Sequence, residues 1–194
     1  MKQARVLTPN EMKRLLKVVS TTKHPERNRL VIMLSYLAGL RACEISALKI
    51  GDVITQLEKG WEVNTEVVLK STQTKGKKAQ TVVISSLLRK EIADYYKLIS
   101  SDLDRSSSLI SSQKTGSFTS QTIQNLFRIL YHSAGIANAS SHSGRRTFIT
   151  ALSEKGVSVR VIQALARHSS LATTQRYIDV SADKLRSAVE TVIF

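Results

Sequence analysis

Two stretches decide the reading of this chain: His142-Ser-Gly-Arg145 and His168-Ser-Ser-Leu-Ala-Thr-Thr-Gln-Arg-Tyr177. Together they set two histidines, arginines and a tyrosine within 36 residues. A tyrosine attacks a phosphodiester only when cations and proton-transfer groups surround it. His142 and Arg145 are three positions apart, which on a helix puts both on one face. Histidine exchanges a proton near neutral pH, and arginine offers a planar fork of donors to phosphate oxygens. The ordinary alternative is a surface histidine beside a solvated basic pair, Arg145-Arg146. His168 and Tyr177 are nine positions apart and would face opposite ways on one continuous helix. They converge only if the helix breaks, and Ser169 to Thr174 supplies turn and capping residues there. The ordinary fate of a lone tyrosine is packing in an amphipathic core.

The charge balance points to a polyanionic partner. Twenty-nine Lys and Arg stand against 15 acids, a formal charge of +14 over 194 residues. Such an excess attracts nucleic acid through phosphate contacts and counterion release. The single Cys43 excludes an internal disulfide and a cysteine-rich zinc site, and reads as a small packing residue. No His, Asp or Glu cluster has metal-ligand spacing, which counts against a metal-dependent nuclease. The N-terminal residues do not resemble a signal peptide, and the longest apolar run, Leu30 to Leu40, is too short to span a bilayer. A cytoplasmic protein with no membrane partner is expected.

The periodicities predict a mainly helical chain with one small antiparallel sheet. Thr8-Pro9-Asn10-Glu11 reads as a capping box opening a helix with Leu15, Leu16, Val18 and Val19 on its apolar face. Arg27 to Leu40 is a mostly apolar, central helix that Gly39 is placed to end. Ala42 to Lys49 is a short third helix before a Gly51-Asp52 turn. Trp61 to Leu69 and Gln80 to Ile84 are rich in β-branched residues and flank the basic turn Thr74-Lys75-Gly76-Lys77-Lys78. Helices are expected over Leu87–Ile99, Thr119–Ala134, His142–Lys155, Val157–Leu165 and Thr173–Val180, with a final one from Ser181. The serine-rich stretch from Ser100 to Ser117 is a linker or a long loop. Arg41 stands at the junction of two helices with Glu44 three residues later, spaced for an ion pair. Spacing alone does not single out Lys75 from its turn.

Taken together, Ala38-Gly39-Leu40-Arg41-Ala-Cys-Glu44, Thr74-Lys75-Gly76, His142-x-x-Arg145 and the segment from His168 to Tyr177 resemble the tyrosine recombinase (phage integrase) family. Each motif is weak alone; their order and joint presence are specific. The resemblance covers the family's catalytic domain from about Leu7 onward. It implies a mainly α fold with a small antiparallel β-sheet (α+β). It also implies cleavage and rejoining of DNA through a 3′-phosphotyrosyl intermediate, without metal, ATP or other cofactor. By motif, Tyr177 is the nucleophile. Arg41, Arg145 and His168 surround the scissile phosphate, supported by Glu44. Lys75 is the general acid for the 5′-hydroxyl, and His142 the proton acceptor that assists Tyr177. Lys70, Lys77, Lys78, Arg146, Arg167 and Arg176 are expected to contact DNA.

The chemistry fits that allocation. A phenol with a pKa of about 10 places its anion roughly 4 kcal/mol uphill at pH 7. A base and two guanidiniums offset that cost. Preorganised arginines bind the charge of the phosphorane-like transition state, and losing one such donor costs ~10²–10³-fold in rate. The ester to tyrosine conserves bond energy, so religation needs no nucleotide, and no GxxxxGK[ST] phosphate loop is present.

The chain departs from the family's pattern at Gly144, where leucine is common, and at Arg167, where glycine usually precedes the histidine. The family's N-terminal core-binding domain is not found in it. The expectation is one catalytic domain over 1–194, with 1–6 a flexible arm and 181–194 a C-terminal helix that docks on a neighbouring protomer. Leu185, Val189 and Val192 have the spacing for such a helix, which would equally suit one folded back on its own core. Either an excised catalytic part or a naturally short recombinase is expected. It would bind double-stranded DNA, assemble as a homo-tetramer there and be monomeric in solution. The rival readings are a type IB topoisomerase-like enzyme and a DNA-binding relative that has lost activity.

Overall fold

A computed structural model describes residues 4–74, 76, 78–99, 104–111, 116–178, 185–186 and 189–191. The chain forms two compact units, residues 1–148 and 149–194.

In the first unit, α1 (Pro9–Val19) starts where the sequence predicts. The Thr8 hydroxyl accepts from the Glu11 N–H at 3.2 Å, and the Thr8 N–H donates to the Glu11 carboxylate at 2.9 Å. This reciprocal cap satisfies two donors that a helix start leaves orphaned. α2 (Pro25–Ala38) opens on the polar run Glu26 to Arg29 and is apolar from Leu30 onward, with Leu30, Val31, Ile32 and Leu34 buried. It packs against α1 and α5 (Ser86–Ile99), which explains why its second half has no polar face. α3 (Ala42–Ala47) packs on α6 (Ser120–Ser133), whose Ile123, Phe127, Leu130 and Tyr131 complete the core. The Phe127 and Tyr131 rings stack 5.8 Å apart.

The strands differ from expectation in number. The expected strand over 61–69 breaks at Asn64-Thr65 into β2 (Trp61–Val63) and β3 (Glu66–Leu69). β1 (Ile54–Gln56), which the sequence does not reveal, pairs antiparallel with β2, and β3 pairs with β4 (Gln80–Val83). The result is two two-stranded sheets rather than one. Asn64 makes the break: its side chain accepts from the Thr55 hydroxyl and donates to the Asp52 carbonyl. Asparagine competes with a strand ladder in this way. The Gly51-Asp52 turn is instead a helical turn, α4 (Ile50–Val53).

Two further expectations change. The described part of the serine-rich stretch is anchored: Leu109 and Ile110 are buried, the Leu109 N–H donates to the Leu48 carbonyl, and the Ile50 N–H donates to the Ser107 carbonyl. Of the two readings, linker or long loop, the described part fits the loop, which Leu109 and Ile110 fix although it lacks any period. Arg5, expected in a flexible arm, is tied down by a 2.6 Å ion pair with Glu11 and a hydrogen bond to the Ala137 carbonyl.

α7 (Ser143–Glu154) crosses the boundary between the units. The second unit continues with α8 (Val159–Ala166), capped by the Ser158 hydroxyl, and the short α9 (Leu171–Gln175) packed against it. α9 replaces the helix expected over 173–180. Among the described residues no helix is long and apolar enough to cross a membrane. Leu185 and Val189 are exposed; Val192, residues 181–184 and much of the expected last helix lie outside the described residues.

Candidate functional site

In the first unit the site grows from the end of α2. Gly39 closes that helix in the left-handed conformation, φ 59° and ψ 28°. A Cβ there would lie 2.7 Å from the Phe148 ring, so the position excludes any side chain on two counts. The turned-out Gly39 carbonyl accepts from Nη1 of Arg145 at 2.6 Å, and Arg145 is only 4% exposed. Two residues beyond Gly39, Arg41 takes up an extended conformation and opens α3. Its backbone N–H donates to Oε2 of Glu44 at 2.9 Å, and its Nη1 lies 2.6 Å from Oε1. Glu44 thus holds Arg41 by both main chain and side chain. The Glu44 carboxylate is fully buried, so this is a desolvated ion pair rather than the surface pair that the spacing alone would suggest. Both arginines are therefore preset by the same short α2–α3 junction.

His142 and Arg145 stand at the start of α7 and differ in burial, His142 exposed and Arg145 buried. α7 begins at Ser143, and the His142 carbonyl accepts from the Arg146 N–H, so His142 stands at the cap with its ring exposed. Arg145 points inward from the first turn. The Ser143 hydroxyl accepts from the Ser140 N–H, and the Thr147 hydroxyl, which donates to the Ser143 carbonyl, accepts from the Leu7 N–H. Gly144 fits against α2 so closely that an added Cβ would lie 2.7 Å from Oγ of Ser35 and 3.0 Å from its Cβ. That contact is a physical reason for glycine at this position. Tyr131, buried beside the same turn, has its hydroxyl pushed well above the usual phenol range by desolvation.

Arg41 and His142 line one open cleft of about 370 Å³ with Cys43, Gln73, Thr74 and Gln124 among its other walls. Cys43 is half-buried in that wall, so its packing role comes with access to the cleft. Gln73 and Thr74 come from the β3–β4 connection. The Lys70 N–H donates to Oε1 of Gln73 at 2.7 Å, and Nε2 of Gln73 donates to the Ala47 carbonyl at 2.8 Å and to the Asp52 carboxylate at 2.7 Å. The Thr74 hydroxyl donates to the Lys78 carbonyl at 2.8 Å. These bonds fasten the base of the turn to the end of α3. Lys70 and Lys78 are exposed, whereas Lys75 and Lys77 lie outside the described residues. Sequence reading missed Gln73, because a buried amide that bridges distant segments leaves no periodic trace.

In the second unit His168 and Tyr177 come together. The break lies at Arg167, which closes α8 with φ 56° and ψ 45°, earlier than the serine and threonine run suggests. The His168 N–H donates to the Gln163 carbonyl, and the Gln163 amide donates back to the His168 carbonyl. The rings of His168 and Tyr177 then stack 5.7 Å apart at 24°. Nδ1 of His168 lies 2.9 Å from Oγ1 of Thr174. Arg167, expected to reach phosphate, is 7% exposed and its Nη1 donates to the Leu165 carbonyl of its own helix end. Arg146 is half-buried and Arg176 exposed. Among the described residues no group of His, Cys, Asp or Glu is arranged to hold a metal ion.

Comparison with known proteins places this arrangement. Residues 5–184 match the sequence model of the phage integrase family. The tyrosine recombinase XerA of Thermococcus kodakarensis is 35% identical over 188 residues, covering 96% of this chain and 62% of the relative. XerA of Pyrococcus furiosus is 33% identical, covering 95% and 60%. XerD of Rickettsia conorii is 31% identical, covering 95% and 61%. The chain thus spans about three-fifths of the length of these curated relatives. A crystal structure of XerA recombinase superposes with a TM-score of 0.75 at 26% identity, over 100% of this chain and 68% of that one. The XerH site-specific recombinase bound to its difH substrate shares the fold, with a TM-score of 0.72 at 21% identity over 98% and 55%.

Proposed function

From the premise that this chain belongs to the phage integrase family, we propose that it is the catalytic part of a site-specific recombinase acting on double-stranded DNA. Oη of Tyr177 attacks the scissile phosphorus and passes its proton to His142. The bond from phosphorus to the 5′ oxygen breaks, the DNA 3′ end becomes a phosphotyrosyl ester, and the leaving oxygen takes a proton from Lys75. Arg41 and Arg145 neutralise the phosphate oxygens as charge builds in the transition state, and His168 hydrogen-bonds to them. In the second half-reaction a 5′-hydroxyl attacks the ester and Tyr177 leaves. No bond energy is lost, so no nucleotide is required.

The observation that carries this reading is the stacking of Tyr177 on His168, reached through a left-handed break ten residues before the tyrosine. The presetting of Arg41 by buried Glu44, and of Arg145 by the Gly39 carbonyl, supports it. Donors fixed before substrate arrives cost no reorganisation during reaction. Lys70, Lys78, Arg146 and Arg176 are proposed DNA contacts, Lys77 with them from the sequence pattern. Arg167 is left out because it is 7% exposed and its Nη1 bonds the Leu165 carbonyl. On DNA the active form is proposed to be a homo-tetramer, with residues 181–194 docking on a neighbouring protomer.

The test is a nicked duplex carrying the recombination site, incubated with the protein and EDTA. A covalent adduct that vanishes in Tyr177→Phe is expected. An adduct that persists in Tyr177→Phe, or none from the parent on its cognate site, overturns the proposal. Truncation after Val180 is expected to abolish higher assemblies on DNA in gel filtration; unchanged assembly refutes the docking role.

A further inference from the structure

Thr174 was not singled out by the sequence, yet it touches both residues that the second unit brings together. It is fully buried. A buried hydroxyl is costly unless it is hydrogen-bonded. A helical threonine commonly satisfies its hydroxyl on the carbonyl four residues back. Thr174 makes no such bond to Ser170; among the described residues its hydroxyl has one hydrogen bond, to Nδ1 of His168 at 2.9 Å. Its backbone carbonyl meanwhile accepts from the Tyr177 N–H at 3.0 Å. One residue thus fixes the ring of His168 by its side chain and the start of Tyr177 by its main chain.

The direction of that bond follows from what each atom can do. A threonine hydroxyl carries a proton that needs an acceptor, and here the acceptor in reach is Nδ1. An imidazole nitrogen that accepts a hydrogen bond carries no proton, so the neutral ring holds its proton on Nε2. We propose that Thr174 is a positioning residue: its hydroxyl donates to Nδ1 of His168 and holds the neutral ring in the Nε2–H form. Nε2 is then a donor toward a phosphate oxygen without the ring having to become an imidazolium. The consequence for cleavage rests on the recombinase reading above; the tautomer does not.

Two variants and two readouts test this. Thr174→Val keeps the shape and removes the hydroxyl, while Thr174→Ser restores it. Long-range proton–nitrogen NMR reads the tautomer of each histidine. The chain has only four, and His168→Gln identifies the signals. In the parent, above the ring's titration, Nε2 of His168 is expected to be protonated and Nδ1 bare. In Thr174→Val a mixture of the two tautomers is expected, and Thr174→Ser restores the parent pattern. A protonated Nδ1 in the parent, or an unchanged pattern in Thr174→Val, overturns the proposal. On the nicked substrate, the first-order rate of adduct formation at saturating protein is expected to fall about tenfold or more in Thr174→Val, with DNA affinity unchanged, and to recover in Thr174→Ser. An equal loss in both variants, or a loss of DNA affinity alone, refutes the role. If the parent forms no adduct, the recombinase reading fails and NMR still decides the tautomer.

Discussion

Gly39→Ala isolates the junction that presets the two arginines. An L-residue in the left-handed region costs ~1–2 kcal/mol, offset by ~0.4–1 kcal/mol from the stiffer unfolded chain. The new Cβ would also lie 2.7 Å from Cδ1 and 3.2 Å from Cε1 of Phe148, whose ring must shift. Overpacking of this kind adds ~1–3 kcal/mol. The expected loss is therefore about 2–4 kcal/mol, which lowers Tm by roughly 5–12 °C in a chain of this size. Because the Gly39 carbonyl anchors Arg145 at 2.6 Å, adduct formation on the nicked substrate should fall ~10²-fold, toward the cost of losing one transition-state donor. Combining Gly39→Ala with Phe148→Leu should recover the steric part alone, a coupling of about 1 kcal/mol or more. Thermal unfolding and single-turnover cleavage measure both effects. A single variant that melts within about 1 °C of the parent and cleaves at the parent rate would refute the reasoning.

Three further outcomes are expected. Glu44→Gln removes the buried partner of Arg41, which is itself 22% exposed; about 2–4 kcal/mol should be lost in denaturant unfolding, and cleavage should fall more than DNA affinity. Gly144→Ala should destabilise by ~1–3 kcal/mol despite alanine's helix propensity, because Ser35 is in the way, and adding Ser35→Gly should recover part of that loss. Glu11 is held below its ordinary value of 4.5, first by the hydrogen bond from the Thr8 backbone and also by Arg5. Its folded pKa lies below the unfolded one, so its contribution is full above about pH 5 and fades as pH falls through the folded value. Unfolding of Glu11→Gln against the parent should differ by about 1 kcal/mol at pH 7, and the difference should shrink as pH falls through the folded value of Glu11.

The sequence by itself determined the helices that announce themselves through local chemistry. The Thr8 cap, the mostly apolar α2 and its Gly39 terminus are local features, which spacing can report. The Arg41–Glu44 pair was legible for the same reason, three positions apart on one helix turn. The motifs also singled out the histidines, arginines and tyrosine of the proposed site, because a reaction restricts residue type as tightly as a fold restricts shape. Only tertiary structure decided how those groups are held. That Glu44 is desolvated, that His142 caps α7 while Arg145 turns inward, and that Arg167 is buried depend on the packing of distant segments, which has no local signature. The same holds for Gln73, which ties the β3–β4 turn to the end of α3, and for Thr174 beneath His168. A hydrogen bond between segments far apart in the chain, or across a broken helix, is set by where the backbone folds and not by what stands next to it.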